Sequence, residues 1–167
     1  MQFIADRVMS PERHATGFWK PGRLGRVPMR KATFFQRTYD ETLELLVETR
    51  NYIRYSERRE RMRVNDTIGT RIVCEGLRVT TRLIQVMAWA MTQRAVFEGE
   101  LTASQALGEE WRLSGTEVCL DDDGTHDHEI PAGLRGLLDR SHRLYLRALR
   151  LEAMSVGAEA ALAQARR

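Results

Sequence analysis

The stretch from about Val64 to Glu98 most limits what this chain can fold into. Ile72, Val79, Leu83, Val86 and Ala90 recur at helical spacing and draw one apolar stripe. Leu77, Ile84, Met87, Ala88 and Met91 draw a second stripe on a different side. Asn65 or Asp66 can cap the first turn and Gly99 stops the pattern, so the helix has roughly 33 residues and is about 50 Å long. A helix apolar on nearly every side has to be covered on nearly every side. Two helices of the same chain cover about two sides, and the rest is left for a shorter helix or for a second copy of the molecule. A helical homodimer is therefore expected.

The covering helices are visible in the flanking sequence. From Ala32, Phe35, Tyr39, Leu43, Leu46 and Ile53 fall at helical spacings, with Asp40, Glu41, Glu44 and Glu48 mostly on other faces. SERRERMR, Ser56 to Arg63, has one apolar residue and reads as a solvated connection or helix end. After Gly99, Thr102 and Gln105 have capping-box spacing and predict a short helix to about Trp111. EVCLDDDGTHDHE, Glu117 to Glu129, reads as an exposed acidic loop. Ile130 and Pro131 then open a third helix whose face is Leu134, Leu137, Leu138, Ser141, Leu144, Tyr145, Ala148 and Leu151, ending near Gly157. Met1 to Met29 holds Pro11, Pro21, Pro28, Gly17, Gly22 and Gly25, which no regular helix crosses. The expected organisation is all-α: a basic, disordered extension over 1–31, a three-helix bundle of long antiparallel helices plus one short helix over 32–152, and an Ala-rich tail over 153–167, helical or mobile.

A chain of 167 residues can bury a core without staples, and Cys74 and Cys119 have no Cys or His at finger spacing. A reducing cytoplasm fits best, and the Arg bias, all but two of the 26 basic residues, reads as the codon signature of a GC-rich, bacterial genome. Arg78, Arg82 and Arg94 interrupt the most apolar stretch before it reaches a bilayer-spanning length, and Asp6, Pro11 and Glu12 break any secretory signal. Met1 to Arg30 carries six Arg or Lys against two acidic residues, so the modest net charge of +3 is concentrated there. A solvated tail is the simplest reading of that excess, with a nucleic-acid arm or an acidic partner as the alternatives.

Chemistry is sparse. Asp121, Asp122, Asp123, Asp127 and Glu129 with His126 and His128 invite a metal, but with Gly124 at the sixth position of a calcium loop the first ligand would be Cys119 and the last Ile130. A zinc set of Cys119, His126 and His128 lacks a fourth ligand. No phosphate-binding glycine loop occurs, and His142 lies among Arg140, Arg143 and Arg147 rather than beside a nucleophile. No catalytic residue, cofactor or metal site is expected. The polar residues within the central helix stand out instead: Glu75, Arg78 and Arg82 read either as an intramolecular ion-pair row or as an Arg-based docking patch for an acidic partner. Trp89 is a core filler or a dimer anchor. Arg78, Arg82, Trp89 and Arg94 are the candidate protein-interaction residues.

CEGLRVTTRLIQVMAWAMTQRAVFEGELT, Cys74 to Thr102, resembles the core signature of the DUF1465 family. The pieces that carry the resemblance are Glu75, LRVTTRL from Leu77, Trp89, QRAV from Gln93 and GELT from Gly99, together with SHRLYLRALRLE from Ser141 and the aromatic pair Phe34 and Phe35. Membership implies a dimeric three-helix bundle without catalytic activity, an adaptor that helps deliver cell-cycle regulators such as CtrA to the ClpXP protease. The implied partners are a CpdR-like adaptor, ClpXP, the cargo regulator and, in some organisms, a cyclic-di-GMP-binding protein. The Pro- and Arg-rich extension and the DDDGTHDHE loop depart from the family pattern. A reading from another class is a helical nucleic-acid-binding regulator that uses the basic tail with Arg78, Arg82 and Arg94.

Overall fold

The computed structural model describes residues 29–165, with side chains from 35 onward apart from 159, 160, 162, 163 and 165. Three long helices dominate: α1 (Met29–Tyr52), α3 (Asp66–Glu98) and α6 (Ala132–Ala165). A single π turn, Ile53–Glu57, and the short α2 (Arg58–Arg61) join the first two. Between α3 and α6 the chain passes through two 3-10 turns, Gln105–Leu107 and Glu109–Trp111, and then α4 (Thr116–Cys119) and α5 (Asp123–His126). No strand occurs among the described residues. The expected extension lies outside the described residues for 1–28, and α1 is already helical at Met29.

Each long helix packs against the other two. α1 runs antiparallel to α6, because Glu48 meets Arg140 (2.5 Å) while Glu41, a turn or two earlier, meets Arg147 further along. It also runs antiparallel to α3, with Phe35 near its start set edge-on to Trp89 at 5.5 Å. α3 and α6 therefore run the same way. The cause is the connection between them, which travels back along α3 before α6 begins, so the expected antiparallel packing is made by α1 with both of its neighbours.

The ends of α3 follow the sequence signals. The Asn65 side chain accepts the Ile68 amide at 2.9 Å, a cap of about 1 kcal/mol. Gly99 takes the left-handed conformation (φ 77°), and the amides of Gly99 and Glu100 close on the carbonyls of Val96 and Ala95. The expected capping box at Thr102 and Gln105 forms in both directions, at 2.9 and 3.2 Å. It opens only 3-10 turns, since the chain turns again at Gly108. α6 continues through Gly157 to Ala165 instead of stopping there.

The core joins Ile72, Val79, Leu83, Val86, Trp89 and Ala90 of α3 to Leu134, Leu137, Leu138, Leu144, Tyr145 and Ala148 of α6. The face that α1 contributes differs from the expected one. Thr38, Thr42, Leu45, Thr49 and Tyr52 are buried, while Leu43 and Ile53 are exposed and Phe35, Tyr39 and Leu46 lie at the edge. The Thr42 hydroxyl bonds back to the Thr38 carbonyl at 2.6 Å, which satisfies it inside the helix, whereas the buried Thr49 hydroxyl has no hydrogen-bond partner.

A polar strap along the central helix

Three stripes run the length of α3, each displaced from the next by one residue and so by about 100°. Ile72, Val79, Leu83, Val86 and Ala90 face the core. One residue back, Arg71, Glu75, Arg78, Arg82 and Gln85 form a polar stripe at spacings of three and four. One residue forward, Val73, Leu77, Ile84 and Met91 form an apolar stripe that nothing among the described residues covers, with Leu77, Ile84 and Met91 62%, 56% and 58% exposed.

The segment from Leu113 to Glu129 lies along the polar stripe as a strap and engages it position by position. The Gln85 side-chain oxygen accepts the Ser114 amide (3.2 Å) and hydroxyl (3.1 Å). Arg82 donates Nε to the Cys119 carbonyl (2.9 Å), Nη1 to the Leu138 carbonyl (3.0 Å) and Ser141 Oγ (3.3 Å), and Nη2 to the Asp121 carbonyl. Arg78 holds both Glu75 oxygens at 2.5 Å with Nη1 and Asp121 Oδ2 at 2.6 Å with Nη2. The Glu75 carboxylate rests on Gly124, where an added Cβ would come within 2.5 Å of it. Arg71 closes the row on Asp127 and on Glu129 (3.2 Å). The strap is tied to α6 as well, since Glu152 accepts the Leu113 amide at 2.8 Å and Tyr145 donates to the Ser114 carbonyl at 3.1 Å.

This arrangement corrects the expectation of an exposed acidic loop. Cys119, Gly124 and Ile130 are buried, and Asp121 and Asp127 are ion-paired. The sequence signal that could have found it is the polar stripe itself, whose spacing matches a face too polar for the core and too regular for chance. The acidic partner of Arg78 proves to be the chain's own strap.

Arg82 is fully buried and contacts no carboxylate directly; four oxygens satisfy three of its nitrogens. Burial pulls its guanidinium down from the ordinary value, with Arg78 adding to the effect, but arginine starts so high that it keeps its charge. Burial pushes the Cys119 thiol up, only partly opposed by Arg82. Tyr145 is pushed up to about 12, again chiefly by burial. His142 sits over the strap with Nδ1 3.9 Å from Asp122, and burial holds its imidazole below the usual value, helped by Arg82 and opposed by Asp122, Asp139 and Asp121.

The four candidate interaction residues do not share a surface. Arg82 and Trp89 are inside, and Trp89 Nε1 has no hydrogen-bond partner. Arg78 is engaged by the strap, and Arg94 pairs with Glu98 at 2.8 Å. A partner could reach Arg82 or Trp89 only if the helices or the strap separated, and a nucleic acid would find all three of its expected arginines engaged within the chain. Cys119, His126 and His128 are likewise dispersed: Cys119 is buried under Arg82, His126 is exposed near Asp122 (4.0 Å) and His128 faces Arg135 (3.1 Å). Among the described residues no group of three His, Cys, Asp or Glu could hold a metal ion, and no helix is long and apolar enough to cross a membrane.

Among the described residues, fold and site together define an all-helical protein whose central helix turns a polar stripe to its own strap and leaves an apolar stripe exposed. The chain belongs to the DUF1465 family, described as a protein of unknown function, whose model matches residues 28–166. Its structure is similar to the crystal structure of RcdA from Caulobacter crescentus CB15, with 32% sequence identity, 72% of this chain and 89% of that chain covered, and a TM-score of 0.58. No curated protein matches the sequence.

Proposed function

We propose that the chain is a non-enzymatic adaptor in regulated proteolysis in the bacterial cytoplasm, helping to bring cell-cycle regulators such as CtrA to the ClpXP protease in concert with a CpdR-like adaptor. The observation that carries this reading is the similarity to RcdA over most of that protein's length. An adaptor raises the local concentration of cargo at its protease without making or breaking a bond, so it needs surfaces rather than a constellation of reactive groups. The uncovered stripe of Val73, Leu77, Ile84 and Met91 supplies one such surface, and a second copy of the chain is its occupant in this reading.

Reconstitution tests it. Adding the purified chain to ClpXP, a CpdR-like protein and a CtrA-type regulator from the same cell is expected to speed loss of the regulator at least severalfold. An unchanged rate, together with salt-sensitive binding to duplex DNA, would replace the adaptor with a nucleic-acid-binding regulator.

A further inference from the structure

The corner between α1 and α3 is built unlike the rest of the surface. Between Arg50 and Val64 the chain carries six arginines against two carboxylates, and neither carboxylate is open. Glu60 accepts the Tyr52 hydroxyl at 2.5 Å, and Glu57 pairs with Arg61 at 3.2 Å. Arg59 is held on the Tyr55 carbonyl at 2.7 and 3.0 Å, and Arg54 lies over the Tyr55 ring, 5.3 Å from its centre. Arg50, Arg58 and Arg63 are exposed and meet no carboxylate among the described residues.

The same corner exposes apolar groups. Met62 is 75% exposed, more than any other large apolar side chain described, and Tyr55 is 58% exposed, with Ile53 and Val64 beside them. The π turn contributes to this. Its extra residue shifts the helical phase, so that Ile53, Arg54 and Tyr55 all point outward, and no residue from Ile53 to Arg61 is buried. Single π turns within helices cluster at functional positions, because the irregularity weakens the helix it interrupts. Tyr, Met and Arg are also the residues enriched at the centres of protein interfaces.

We propose that this corner, Arg54, Tyr55, Arg58, Met62 and Arg63, is a docking surface for an amphipathic acidic segment of another protein. Arginine forks take carboxylates in pairs, and an adaptable methionine beside a tyrosine ring takes an apolar anchor. A nucleic-acid backbone would match the charge but leave Ile53, Met62 and Val64 against phosphate and water. The surface is distinct in composition from the open stripe of α3, and the proposal does not rest on the adaptor role.

The probe is a labelled synthetic helical peptide of about 18 residues with leucine and phenylalanine on one face and glutamate on the other. Its comparisons are a scrambled peptide of identical composition and a DNA duplex, all titrated against the full chain by fluorescence anisotropy. The amphipathic peptide is expected to bind at least tenfold tighter than the scrambled one. Arg54→Glu/Arg58→Glu and, separately, Tyr55→Ser/Met62→Ser are expected to weaken it at least tenfold, with far-UV circular dichroism and oligomeric mass unchanged. Equal binding of the two peptides, failure of the amphipathic peptide to bind, or indifference to both variants would overturn the proposal. So would tighter binding of the duplex that is lost with the arginine pair.

Discussion

Arg82 shows how a charge can sit inside this bundle. A buried guanidinium is costly unless hydrogen-bonded, and here the carbonyls of Cys119, Leu138 and Asp121 and the Ser141 hydroxyl surround it. Arg82→Met would fill the space but take a donor from the buried Cys119 and Leu138 carbonyls and the part-buried Asp121 carbonyl, and is expected to destabilise the fold by about 3 kcal/mol, read as a lower urea midpoint. Arg82→Lys is expected to recover little of that loss, because one ammonium cannot reach acceptors placed around a planar fork. His142 gives a pH dependence. Burial and Arg82 depress its folded pKa below the unfolded value near 6.5, so the unfolded chain binds the proton more readily. The contribution to stability is therefore present above about pH 6.5 and is lost as pH falls through the folded value. His142→Gln is expected to flatten this acid-side part of the profile, measured as melting temperature against pH; an unchanged slope would assign the dependence elsewhere.

At the scale of elements, the strap is held by a register of contacts that a single methyl group should disturb. Gly124 lies against the Glu75 carboxylate, which is not free to swing away because Arg78 holds both its oxygens. Gly124→Ala is expected to cost about 1 kcal/mol or more, and Glu75→Ala in the same chain is expected to relieve part of that cost, a coupling that a double-mutant cycle would measure. Additive effects would mean that the two sites are not in contact. The long helices were legible in the sequence because period, cap and stop agreed, as at Asn65, Ile72 to Ala90 and Gly99. The buried face of α1 was not, since a threonine looks polar in sequence yet can turn to the core, as Thr38, Thr42 and Thr49 do. The strap was hidden for a related reason: Asp121 and Asp127 look solvated until the arginines one helix away are placed opposite them. The parallel course of α6 depends on that same strap, and local periodicity carries no information about the direction in which a long connection travels.

For the whole molecule, the three stripes of α3 divide its surroundings among the core, the strap and an open side. The open stripe, Val73 to Met91, runs about 27 Å along α3 at about 1.5 Å per residue, and a face about 10–12 Å wide gives roughly 300 Å² per subunit. That is short of the ~800 Å² per partner usual for a stable pair, so a dimer built on this stripe has to recruit apolar groups from a neighbouring helix. Exposed Leu43 and Val47, one turn apart on α1, are of the kind required. Leu77→Glu/Ile84→Glu puts two carboxylates at the centre of the stripe without touching the core or the strap. The variant is expected to be monomeric in sedimentation or light scattering, with its helical signal retained. Dimerisation stabilises the native fold by mass action, so the unaltered chain should melt at higher temperature as its concentration rises, and the variant should not. A concentration-independent melt in both chains would remove the second copy from the open stripe and leave that face to a different protein.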